Sequence, residues 1–98
     1  MIGELRVETF EPLLDKVFEI DFGGGPVAST LIDVKSLTPP SADHEGRQPW
    51  SLLFRADSDE LWEQATYPVR HPDLGELSLF LVPIGPDKEG MQYEAVFT

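Results

Sequence analysis

The sequence predicts a mainly β fold: a compact antiparallel β-sandwich or small barrel of about six strands with a short N-terminal helical turn. Two observations predict it. Apolar and polar residues alternate along several short stretches, most cleanly where Phe18, Ile20 and Phe22 are interleaved with Glu19 and Asp21, and a period of two marks a half-buried strand. The stretches are separated by GGGP, PDLGE and GPDKEG, whose glycine, proline and aspartate supply turn chemistry.

The elements follow in chain order. In ETFEPLLDKVFEIDF, Thr9 reads as a helix cap and Pro12 sits in the first turn. Phe10, Leu13 and Leu14 recur at one-turn spacing, so a turn or two of helix is expected. From Val17 the period becomes two, and GGGP ends that strand because glycine permits positive φ and proline cannot continue a central ladder. Val27 to Leu37, rich in β-branched residues, predicts a second strand paired back to the first. TPPSADHEGRQP is the longest loop, and a loop of that length is functional or mobile. WSLLFRA predicts a third strand, with Trp50, Leu52 and Phe54 on one face and Leu53 on the other. DSDELWEQA reads as an acidic turn or one helical turn, and TYPVRH as a short strand around Pro68.

LSLFLVPIGPDKEGMQYEAVF, residues 77 to 97, closes the chain with two apolar runs about a polar turn. Leu77, Leu79 and Leu81 share one face, and Phe80, Val82 and Ile84 the other, so the strand is expected to be interior on both sides. Pro83 donates no hydrogen bond and belongs at a bulge, a strand end or an edge. The strand is expected to end there, with the six-residue turn acting mainly as connector and Tyr93, Ala95 and Phe97 facing the core.

The 98 residues make one domain, 1–98, because two cores in so short a chain would each be too small. With 18 acidic residues against 7 basic ones the net charge is −11. That surface repels phosphate backbones and anionic headgroups, and the cations Arg6, Lys16, Lys35, Arg47, Arg55, Arg70 and Lys88 are dispersed. Nucleic acid is not an expected partner; cations and basic protein surfaces suit the charge. The longest apolar run, Leu79 to Ile84, is far short of the roughly 20 residues a bilayer requires, so no membrane association is expected. MIGELRVETFEPLL lacks the apolar core of a signal peptide, and a cytoplasmic location is expected. Cysteine is absent, which removes disulfides and thiolate chemistry.

Candidate chemistry is sparse. His71, in RHPD, sits at a strand-to-turn junction, where a histidine more often satisfies backbone groups than serves as a catalytic base; His44 lies in the polar loop and reads as solvated. Asp57 to Glu60 offer calcium-type oxygens without the glycine and distal glutamate of an EF-hand, so a solvated acidic turn is the stronger reading. FGGGP has neither the dinucleotide nor the P-loop pattern, and no serine stands in a G-x-S-x-G elbow. No cofactor, metal or catalytic residue is expected. Aromatic residues say more: Trp50, on a strand, reads as core, while Trp62, among Glu60, Glu63 and Gln64, reads either as a docking residue or as packing at the sheet end. Trp62, Trp50 and His71 are the candidate interaction surface.

FEPLL, WSLLFRA, YPVRHPDLGELSLFLVPIGPD and YEAVF together resemble a family of small uncharacterised bacterial domains, most specifically in HPDLGELSLFLVPIGPD. The resemblance implies no activity, cofactor or catalytic residue. It does imply gene neighbours encoding phage-tail-collar-like proteins, and so a role in assembling such particles. The expected function is a non-enzymatic acidic interaction or assembly module that binds a protein partner or itself, accessory to a phage-tail-like or other assembly. The alternative is a small-molecule-binding β-barrel or weak enzyme with a pocket near residues 38–48.

Overall fold

A computed structural model describes residues 7–36, 49–58 and 60–97. The chain opens with α1 (Val7–Phe10) and a 3₁₀ turn (Glu11–Leu13), followed by β1 (Val17–Asp21), β2 (Pro26–Ser36), β3 (Trp50–Ala56), β4 (Ala65–His71), β5 (Gly75–Pro86) and β6 (Met91–Phe97). The strands form one closed barrel in the order β1-β2-β3-β6-β5-β4, with every neighbouring pair antiparallel. The mainly β, roughly six-stranded prediction is therefore borne out, in its barrel form.

Alternation decides which side chains enter the barrel. Phe18 and Ile20 of β1, Leu31 of β2, Leu52 and Phe54 of β3, Val69 of β4, Leu81 of β5 and Tyr93 of β6 are all fully buried. A six-stranded barrel is narrow enough for such side chains to fill it.

Aromatic rings close both ends. At one, Phe10 reaches in from α1 and packs against Phe18, Trp50 and Phe97, while Trp50 and Phe97 stack with centroids 4.1 Å apart. This entry segment is held to β2, because the Asp15 N–H donates to the Leu31 carbonyl and the Leu31 N–H to that of Lys16. At the other end Trp62 lies flat on Phe22, centroids 4.2 Å apart, with Tyr67 and Tyr93 against the same phenyl ring.

Several local expectations are corrected. α1 covers Val7–Phe10, so Thr9 lies inside it and does not cap it, and Pro12 falls in the 3₁₀ turn. Phe10 and Leu13 are buried, but Leu14 is exposed. Of the two readings of DSDELWEQA, an acidic turn or one helical turn, the helical one is set aside, since residues 57, 58 and 60–64 are not helical. β5 does not stop at Pro83: it runs to Pro86 with a register shift between Pro83 and Gly85, so the proline is accommodated beside a bulge. Nor is β5 interior on both sides. Leu79 and Leu81 are buried, whereas Phe80 and Ile84 are half exposed, because a barrel wall has one interior face and, among the described residues, no second layer of strand or helix lies over the outer face of β5. The loop 38–48 lies outside the described residues.

Candidate interaction surface

Two features reach the surface with chemistry to offer: a cleft at the Trp62 end and an apolar row on the barrel wall. The cleft begins with the glycine turn. Asp21 Oδ1 accepts the N–H groups of Gly23 and Gly25 at 2.8 and 3.3 Å, and both glycines have positive φ, +114° and +110°, a conformation that disfavours a side chain. The turn is thus fixed by one carboxylate. Facing it is the connection from β3 to β4, tied at one end by the Asp57 N–H to the Ala28 carbonyl at 2.8 Å. Further along, the Tyr93 hydroxyl accepts the Trp62 N–H at 3.0 Å and donates to the Glu60 carbonyl at 3.4 Å. Burial pushes the Tyr93 phenol above its ordinary pKa. Between turn and connection lies an open cleft of about 390 Å³ walled by Phe22, Gly24, Gly25, Asp57, Glu60 and Trp62 among others.

The acids around the molecule are not equivalent. Asp87 Oδ2 accepts Arg55 Nε at 2.6 Å, Glu89 reaches the same guanidinium at 3.0 Å, and Glu76 pairs with Arg70 at 3.0 Å. The carboxylates of Asp57 and Glu60 make no ion pair among the described residues.

Arg55 and Asp87 brace the last turn. Asp87 Oδ1 accepts the N–H groups of Glu89 and Gly90 at 2.8 and 3.1 Å. The Arg55 hydrogen bond, followed by the backbone donors, holds the Asp87 carboxyl below the usual aspartate range. A depressed folded-state pKa contributes stability above the unfolded value, near pH 4, which is lost as pH falls through the folded value. Asp87→Asn is therefore expected to lower the melting temperature at pH 7, with the gap to the parent shrinking only below about pH 4. Melting curves from pH 7 to pH 3 check this; a gap of constant size would rule out the ionic origin.

The wall feature follows from register. Val82 pairs with Glu94, and Glu94 with Leu53, and these side chains point outward. The same register carried two residues along sets Phe80 level with Val96. Phe80 is 54% exposed, and Ile84 and Val96 are 50% exposed, with Val82 and Leu53 half-buried beside them. The outer wall of β5 thus carries an apolar row, Phe80, Val82 and Ile84, with Val96 beside it on β6 and Glu94 standing between Val82 and Leu53 of β3.

The expected surface of Trp62, Trp50 and His71 is not a single patch. Trp50 is buried at the Phe10 end. His71 is also buried, its ring 4.7 Å from that of Phe18 and its Nδ1 accepting the Asp73 N–H at 3.0 Å, the backbone-satisfying role that a histidine at a strand-to-turn junction suggests. Trp62 alone reaches the surface, at the cleft. Sequence reasoning missed Phe80 and Val96 because it weighed only the apolar run from Leu79 to Ile84, where both parities are apolar. The signal that could have found them lies just upstream of each: Glu76 and Ser78 share the parity of Phe80, and Gln92 and Glu94 that of Val96.

A family model described as a domain of unknown function, DUF6916, matches residues 5–97. No curated protein and no solved structure matches the chain.

Proposed function

We propose that this chain, which belongs to the DUF6916 family, is a non-enzymatic interaction module that docks through the outer wall of its barrel onto a protein partner in a larger assembly. The observation that carries this is the exposed row of Phe80, Val96 and Ile84. Burying a large apolar side chain yields about 1.5–3 kcal/mol, so leaving several in water within one patch is the pattern of a contact surface. The net charge of −11 opposes the approach of a second copy and favours a basic partner. The resemblance in HPDLGELSLFLVPIGPD makes a phage-tail-like particle the assembly in which we would look first.

Phe80→Ser combined with Val96→Ser tests the reading. Because both side chains are half exposed, stability is expected to change by no more than about 0.5–1 kcal/mol. Partner proteins captured by the parent chain should be lost by the folded double variant. Equal capture by both would sink the wall as the docking surface.

A further inference from the structure

We infer that the cleft between the glycine turn and the β3–β4 connection receives the guanidinium of an arginine side chain presented by a protein partner. The inference rests on the reading of the chain as an interaction module for its protein source, but on the cleft alone for its chemistry. Three independent features of the cleft converge on that group. The first is an indole held in place: Trp62, which lines the cleft, has one face covered by Phe22, stacked within 5° of parallel, and its backbone is anchored to Tyr93, so only its other face is open to stacking. A planar, weakly hydrated guanidinium stacks on such a face better than a compact ammonium does. The second is charge. Asp57 and Glu60 both line the cleft, and, like most acids of the described residues, neither has an ion-pair partner there. A guanidinium has donors enough to serve two carboxylates and stack at once. The third is a fixed rim: the glycine turn on one side of the cleft is held by Asp21, whose Oδ1 accepts the Gly23 and Gly25 N–H groups. A pre-built site loses little entropy when the side chain enters. The surrounding charge of −11 draws cations toward it.

The test is a titration of the full chain with acetyl-arginine amide, followed by two-dimensional NMR. The indole signal of Trp62 and the amides of Gly24 and Gly25 are expected to shift and saturate, with the indole of Trp50 at the far end of the barrel as an unmoved internal control. The uncharged acetyl-citrulline amide should leave all of them in place. Asp57→Asn with Glu60→Gln, both at exposed positions, should weaken binding about tenfold or more without disturbing the spectrum elsewhere. The Phe80→Ser/Val96→Ser chain should bind as the parent does, so failure of the cleft and failure of the wall are read separately. The inference is overturned by no saturable shift, by an equal response to citrulline or to acetyl-lysine amide, or by undiminished binding in the Asp57/Glu60 variant.

Discussion

Phe10→Ala is expected to lower the free energy of unfolding by about 3–5 kcal/mol, the usual cost of deleting a buried phenyl ring. Few single changes in this chain should cost more. The ring is fully buried and contacts Phe18, Trp50 and Phe97, so its removal opens the barrel end and leaves Trp50 and Phe97 packed over a void. Small domains have about 5–15 kcal/mol in total, so the variant should melt at a much lower urea concentration. Because Phe10 belongs to a four-residue helix, its tether to the rest is mainly this packing and the backbone bonds around Leu31. A loss below about 1 kcal/mol would mean that the N-terminal plug does not hold the barrel closed.

Gly90→Ala is the second large effect. A Cβ at Gly90 would stand 2.2 Å from the Ala56 carbonyl oxygen. That oxygen belongs to the backbone of β3, which is hydrogen-bonded on both sides to β2 and β6, so it cannot swing away as a side-chain tip could. Overpacking a rigid site costs about 1–3 kcal/mol and occasionally more; here the upper end is expected, with a fall in melting temperature of roughly 12–24 °C for a domain this size. Gly24→Ala supplies the contrast, since an added methyl there meets nothing within 4 Å. Equal thermal shifts in the two variants would show that flexibility, and not contact, sets the cost at Gly90.

The strand pattern could be read from the chain wherever polar residues marked one parity. Phe18 and Ile20 against Glu19, and Trp50, Leu52 and Phe54 on β3, gave both the strand and its inward face. In β5 the parity signal is confined to Glu76 and Ser78 at its start and fades where Phe80 and Val82 are as apolar as Leu79 and Leu81, so the tertiary closure decides which set is wet there. The cleft was illegible for a different reason. It joins residues 22–28 to residues 57–62, and nothing local in FGGGP or DSDELW signals that Phe22 will lie against Trp62. The bulge beside Pro83 was foreseen as one option among three, and the barrel's hydrogen-bond network selected it by continuing to Pro86.

The join between β1 and β4 has only two paired positions, Glu19 with Arg70 and Ile20 with Val69, and one further step would set Asp21 against Pro68, which has no N–H to give. The ring is therefore fastened unevenly, like a cylinder with one short seam. If it unrolls anywhere it does so there, producing a flat ribbon whose two bare margins are ready to pair with another chain. In the docking role proposed for this barrel, that seam would mark the boundary between selective contact and indiscriminate stacking.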